Sequence, residues 1–372
     1  MVKLFMRFVV FVSIVQSILF LGHWFVYRTS VRFFGVVAPG KLLTLRIVLG
    51  LLSVSLVLTS FLAFRYSNFL VRCLYTTAAS WLGIIYLFIL ASILCWVFYG
   101  LARLFHHSLD QKLLIETLIG LALLASLYGF INAGVIHTTR INVQLPHLPG
   151  PWKGKRAVWV SDTHLGQVRN FGFAQQIAAK VESLHPDIVF IGGDLYDGAA
   201  VDLNKTIEPF SKISAPFGTY FVTGNHEEFS DNTPYLQAVR RARIHVLYNE
   251  KVDLDGLQII GVDYRDSRRE EDFRTILERM KIDLHRPSIL LKHTPLLLEV
   301  AREQGISFQL SGHTHRGQVF LFRFITSEVY RGYDYGLKRF GNLLVYTSSG
   351  AGTWGPPMRI DTKPEIVVIT FL

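Results

Sequence analysis

The chain changes pattern near residue 137. Before that point long stretches carry no Lys, Arg, Asp or Glu, and after it short apolar runs alternate with polar segments of helical period. Residues 8–26 and 47–64 contain none of the four charged types, and each is about long enough to cross a hydrocarbon layer as a helix. Residues 73–102 are equally free of charge and longer than one crossing needs, which predicts tilt or an interfacial lead-in near residues 75–80. Residues 113–136 are interrupted only by Glu116. The pattern therefore predicts an all-α transmembrane domain of about four helices over residues 1–136. The first run has too long an apolar core for a secretory signal, and no small-x-small pattern follows Phe25, so it is expected to remain in the mature protein. Trp24, Tyr27, Trp81, Trp96 and Tyr99 fall toward the ends of these runs and are expected at headgroup level, where amphipathic rings are favoured.

From residue 153 onward the period shortens. Strand-prone runs at 157–161, 187–191, 218–222, 289–291 and 307–310 alternate with helix-period segments at 173–184, 233–242, 271–280 and 295–303. Such alternation predicts an α/β domain over residues 153–372, with buried sheets and a site at the carboxyl ends of the strands. Further strand-prone runs at 318–322, 342–347 and 365–371 come without intervening helices and predict a second sheet packed on the first. Residues 137–152 contain Pro146, Pro149 and Pro151, a density that predicts an extended linker seating the second domain near the bilayer.

Charge follows the same division. Residues 1–149 hold eleven Lys or Arg against Asp110 and Glu116, whereas the remainder holds 27 basic and 26 acidic side chains. The net excess thus sits between apolar runs, where it reads as headgroup contact and topology signal, and no nucleic-acid partner is expected. Four spans put the N-terminus, the 65–72 loop and the second domain on one side, while Arg28, Arg32, Lys41 and Arg46 crowd the other. The basic tallies are close, so charge does not decide sidedness. The reading adopted is a multi-pass protein of a bacterial inner membrane with its second domain in the cytoplasm. Cys73 and Cys95 both lie in the apolar half, which leaves neither a disulfide framework nor a thiolate metal site.

The five strand ends carry the chemistry. They read Asp162-Thr163-His164, Gly193-Asp194-Leu195-Tyr196-Asp197, Gly224-Asn225-His226-Glu227, Lys292-His293 and Gly312-His313-Thr314-His315. Carboxylate, imidazole and amide oxygen together suit two adjacent divalent ions of the manganese, iron or zinc kind. Singly, each residue has a plainer meaning: an aspartate after a strand is commonly a cap or turn residue, and a lone histidine a hydrogen-bonded structural imidazole. Jointly, Gly-Asp-x-x-Asp, Gly-Asn-His-Glu and Gly-His-x-His at successive strand ends point to one paired metal site that polarises a phosphoryl group and ionises water.

In this order the motifs resemble those of the calcineurin-like metallophosphoesterases, over roughly residues 154–372. Gly-His-Thr-His-Arg-Gly-Gln at 312–318 and Gly-Thr-Trp-Gly-Pro-Pro-Met-Arg at 352–359 look closest to the bacterial YkuE-like branch, in which glycine usually stands where this chain has Arg316. The resemblance implies a four-layer αββα sandwich. It implies that Asp162, His164, Asp194 and His315 hold one ion, and that Asn225, His293 and His313, sharing Asp194, hold the other. It further implies that His226 protonates the leaving oxygen, that Asp197 fixes its tautomer, and that a metal-bridging hydroxide attacks phosphorus in line with no covalent phosphoenzyme.

Several residues keep two readings. Asp197 is either that partner or a loop-capping side chain, and Arg316 either contacts a second phosphate or faces solvent. Glu227, Glu228 and the charged run 265–272 read as a solvated loop and helix start, and the Trp354-Gly-Pro-Pro segment as a packed loop at the rim of the site. The function expected is a membrane-anchored, dinuclear phosphoesterase acting on a phosphoester or diphosphate bond. A lipid-linked substrate is the first hypothesis, because a site held at the bilayer meets headgroups at high effective concentration. The alternatives are soluble substrates with the spans as a mere anchor, and a non-catalytic membrane interaction module. Filled ligand positions and the lack of paired intramembrane charges argue against the module.

Overall fold

The computed structural model describes residues 2–229 and 231–372, apart from the side chains of residues 2–5, 7 and 8. The four apolar runs become α1 (Val2–Phe34), α2 (Pro39–Arg65), α3 (Phe69–Leu104) and α4 (Gln111–Asn132), each containing a stretch long and apolar enough to cross a bilayer. Lipid offers no partners for backbone N–H and C=O groups, so these sequences satisfy them within helices. Local signals set the starts: Pro39 opens α2, the Asn68 side chain accepts the Val71 N–H at 3.0 Å, and Asp110 accepts that of Leu113 at 3.0 Å. With Gly355–Met358 these helices form one compact unit. Trp81 donates its indole N–H to His23 Nε2 at 2.8 Å, and Trp96 donates to Thr29 Oγ1 at 2.9 Å. Both indoles thus join α1 to α3, since an N–H facing lipid without an acceptor is costly.

The second unit comprises Asn132–Trp354 and Arg359–Leu372. Its strands are β1 (His137–Val143), β2 (Arg156–Val160), β3 (Ile188–Ile191), β4 (Thr219–Phe221), β5 (His245–Val246), β6 (Glu250–Leu254), β7 (Leu257–Gly261), β8 (Ser288–Leu291), β9 (Phe308–Ser311), β10 (Gly336–Phe340), β11 (Leu343–Thr347) and β12 (Glu365–Phe371). Its α-helices are α5 (Phe171–Glu182), α6 (Leu203–Ile207), α7 (Thr233–Arg241), α8 (Glu270–Arg279), α9 (Leu298–Glu303) and α10 (Phe322–Val329). One sheet runs β1-β12-β2-β3-β4-β5 and the other β10-β11-β9-β8-β7-β6.

Strand alternation builds the layers. Ala157, Trp159, Ile188 and Phe190 point between the sheets to meet Ile259, Ile289, Leu291 and Leu310. The intervening Val158, Val160, Val189 and Ile191 pack outward on Ile177 and Val181 of α5 and Val239 of α7. Beyond the second sheet, Ile260, Leu290 and Val345 meet Phe273 and Leu277 of α8 and Ala301 of α9. Because both faces of each sheet are covered, the central strands read as continuous apolar runs, and the result is the expected αββα sandwich.

Three segments differ from the sequence reading. Within the linker region, His137–Val143 is itself a strand, paired in parallel with β12 from His137↔Glu365 to Val143↔Phe371. The prolines begin only after Val143 and so leave the ladder intact. Trp152 is fully buried, stacked on Phe217 with ring centroids 4.5 Å apart. Residues 318–322, read as strand-prone, instead form a tight turn with left-handed Gln318 and Leu321 and then enter α10. Gln318 closes that turn by exchanging two hydrogen bonds with the Trp354 main chain, each 2.9 Å. The later run 365–371 joins the first sheet, antiparallel to β2, while β6 to β11 make up the second.

Candidate metal centre

The carboxyl ends of the parallel strands β2, β3, β4, β8 and β9 bring all seven predicted ligand residues into two touching clusters. In one, His164 Nε2 and His315 Nε2 lie 2.9 Å apart, and Asp162 Oδ1 is 3.7 Å from His315 Nε2. In the other, His293 Nε2 lies 3.2 Å from His313 Nδ1 and 3.3 Å from Asn225 Oδ1. Asp194 Oδ2 belongs to both, 3.8 Å from His164 Nε2 and 3.3 Å from His293 Nε2. Donor atoms bound at about 2.1 Å to one cation sit roughly 3.0–3.5 Å from one another, so these separations are close to those of ligand sets.

Local backbone geometry aims the donors. Asp162, His164, Asp194, His313 and His315 all adopt left-handed φ between 47° and 69°. For residues with a Cβ this costs on the order of 1–3 kcal/mol each in unfavourable cases, and it persists where the surroundings over-determine it. Glycine is required alongside: a Cβ on Gly224 would collide with the Asp194 carboxylate, and one on Gly312 with that of Asp162.

Two buried side chains hold this loop cage, and the sequence reading missed both. Glu227, expected in a solvated loop, is fully buried. Its Oε2 accepts the N–H groups of Asp194 (3.0 Å) and Gly224 (2.8 Å), and its Oε1 that of Tyr196 (3.0 Å). Burial and the Asp194 charge push Glu227 up to about 7, against the pull of those N–H groups. Arg359 is also fully buried and donates to the carbonyls of Ser349 (2.6 Å), Gly352 (2.7 Å) and His315 (3.4 Å). Burial pushes it down to about 9. The 352–359 motif contained Arg359, but nothing in its spacing indicated a buried guanidinium.

The electrostatics fit a pair of cations. Asp162 Oδ2 is buried without a hydrogen-bond partner, while His164 Nδ1 faces the Asp197 carboxylate and leaves Nε2 toward the cup. Burial, with Asp194 nearby, raises the Asp162 carboxyl above its ordinary range. Asp194 is also buried, yet the imidazoles of His293, His226 and His164 hold it well below that range. Burial pushes His313 down to about 3, which leaves the neutral ring that a metal ligand requires. His293 is desolvated too, but Asp194 lifts it to about 9, so a cation binding there would release a proton. Two carboxylates, four imidazoles and one amide oxygen form a donor set matched to zinc, manganese or iron.

His226 stands beside the cup with Nδ1 3.0 Å from the Asp197 carbonyl oxygen. A carbonyl only accepts, so Nδ1 carries the proton and Nε2 is the free position, 4.0 Å from Asp194 Oδ2. The Asp197 carboxylate lies nearer His164 Nδ1 (3.4 Å) than His226 Nδ1 (3.8 Å), so it is the Asp197 main chain that orients His226. Burial and neighbouring His164 hold His226 below the ordinary histidine range. Trp354, 60% exposed, sits edge-on to His226 with centroids 6.2 Å apart. Arg316 is half-buried, its guanidinium 4.3 Å over the Tyr335 ring.

Comparison with known proteins agrees with this geometry. The calcineurin-like phosphoesterase model matches residues 155–317. The chain is 30% identical over 269 residues to an uncharacterized metallophosphoesterase of Campylobacter jejuni, covering 71% of each chain. It is 32% identical over 275 residues to a transmembrane protein with metallophosphoesterase domain of Danio rerio, covering 68% of this chain and 62% of that one. It is 27% identical over 256 residues to the uncharacterized metallophosphoesterase YkuE of Bacillus subtilis, covering 65% of this chain and 89% of that one.

Proposed function

The chain belongs to the calcineurin-like metallophosphoesterase family and is a membrane protein, and from that premise we propose that it hydrolyses a phosphoester or diphosphate bond carried on a lipid. Asp162, His164, Asp194 and His315 would hold one divalent cation; Asn225, His293 and His313, with Asp194 shared, would hold a second. The observation that carries this reading is the position of Asp194 Oδ2 in both donor clusters. Two dications side by side repel, and a shared anion lowers that cost. When bound, such a pair supplies Lewis acidity toward phosphoryl oxygens and acidifies a water for in-line displacement.

The chain's own residues do the rest. Glu227 fixes the main chain at Asp194 and Gly224, so the shared carboxylate is held before substrate arrives. His226, locked at Nδ1 by the Asp197 carbonyl, presents Nε2 beside the cup. A phosphate anion docked there offsets the burial penalty on a charged ring, so Nε2 takes up a proton from water and then passes it to the leaving oxygen. The lipid assignment is supported by the four spanning helices on the same chain, which confine substrate and site to one surface.

Metal analysis of the purified full chain, joined to a panel of soluble monoesters, soluble diesters and lipid diphosphates, tests the proposal. Two equivalents of metal per chain and preferential turnover of a lipid phosphate are expected. Turnover confined to soluble diesters would reject the lipid assignment, and metal-free turnover would reject the mechanism.

A further inference from the structure

Helix α10 is built unlike the other α-helices described in the second unit. Each of α5 to α9 buries at least two residues, whereas α10 buries none. Phe324, Ile325 and Val329 are 55, 56 and 58% exposed. Ile325 and Val329 follow one another at i, i+4 spacing and so share one face. A contiguous apolar face left in the open is the mark of an interaction surface.

Charge and the apolar spans on the same chain indicate what covers it. The helix begins seven residues after His315. Gln318, which joins the two, is tied to Trp354 by its side chain and accepts the Ile360 N–H at 3.1 Å through its carbonyl. Arg323 is neutralised by Asp361 at 2.7 Å. The exposed charges that follow in the chain are Glu328 against Arg331, Lys338 and Arg339, a cationic surplus, and the Lys338 ammonium folds back onto the Gly332 carbonyl beside Arg331.

We propose that α10 is an interfacial membrane helix. It lies along the headgroup–acyl boundary of a bilayer, with Ile325 and Val329 in the acyl layer and Arg331 and Lys338 against anionic headgroups. Its catalytic consequence, though not its membrane contact, rests on the lipid-substrate reading above: α10 holds the metal cup at the depth where a lipid phosphate sits.

Spin labels placed by Ile325→Cys and, as a reference, Leu284→Cys test this in the full chain. Both are made in a Cys73→Ala/Cys95→Ala background and reconstituted in nanodiscs of phosphatidylcholine and phosphatidylglycerol. The Ile325 label is expected to be reached by oxygen and shielded from a soluble nickel chelate, with the Leu284 label, on a side chain 68% exposed, showing the reverse. An Ile325 label as open to nickel as the Leu284 label would overturn the proposal. Dipolar broadening between two Ile325 labels would also overturn it, because a second copy would then be the occupant. An acyl-layer label without turnover of any lipid phosphate upholds the interfacial helix and sinks only the substrate reading. As a second arm, Ile325→Asp is expected to lower kcat/KM several-fold on a lipid phosphate while leaving turnover of p-nitrophenyl phosphate unchanged; an equal loss on both substrates would count against the proposal.

Discussion

Replacing Glu227 with glutamine tests whether the cup is held from behind by one buried carboxylate. The two oxygens of Glu227 accept three main-chain N–H groups, from Asp194, Gly224 and Tyr196. Glutamine keeps one acceptor and turns the other into an NH2 group. At least one of the three N–H groups then faces a donor, and the amide hydrogens gain no acceptor in a site without solvent. A lost hydrogen bond to a charged group is worth about 1.5–3 kcal/mol, and each buried orphan about 1–3 kcal/mol. Because burial already pushes the Glu227 carboxyl up to about 7, the lower end of that range applies, about 3 kcal/mol in all. For a unit of this size that corresponds to a Tm loss of roughly 6–12 °C. Thermal unfolding of the detergent-solubilised chain reads the loss, and mass-spectrometric metal analysis reads its consequence, since Asp194 and Asn225 sit on the loops that would relax. A variant that melts within about 2 °C of the parent and keeps its full metal content would refute the argument.

Three further outcomes follow from neighbouring residues. His226→Ala should lower kcat by about 10²–10⁴-fold while leaving metal content unchanged; loss of metal would show that it is a ligand and not the acid. Arg359→Met leaves the carbonyls of Ser349, Gly352 and His315 without their donor and should destabilise the second unit by about 3 kcal/mol or more; an unchanged Tm would mean that water replaces the guanidinium. Glu228 is pushed up to about 7 by partial burial and by neighbouring Asp263, although Arg265 pairs with it at 2.8 Å. An acid raised in the folded state contributes stability that is complete below its unfolded value and is lost as pH rises toward about 7. The Tm of Glu228→Gln relative to the parent should therefore rise from pH 5 to pH 8, and a flat difference would remove Glu228 as the cause.

What the sequence disclosed and what it hid separate along one physical line. Asp162, Asp194, His293 and His313 were legible because each ends an apolar run, and the residue type itself announces the chemistry. Four spans were legible because lipid forbids anything but an uncharged stretch of that length. The hidden features are those whose partner is main chain or a distant segment. A carboxylate at 227 satisfied by three N–H groups has the same letter, and the same flanking glycine and asparagine, as a solvated acid. Arg359 is satisfied by carbonyls, which every residue owns. His137–Val143 is a strand because β12 lies beside it, more than two hundred residues later in the chain. Residues 318–322 could not be assigned from period, since a five-residue apolar run fits a strand or a helix start equally well. What decides between them is the Gln318 side chain, already committed to Trp354, which turns the backbone away from the sheet and into a helix that buries none of its residues. The same bond pair that defeated the strand prediction therefore creates the surface assigned to the bilayer. The two cannot be separated: a variant that frees Gln318, such as Gln318→Ala, loosens both the turn that carries His315 and the seat of α10.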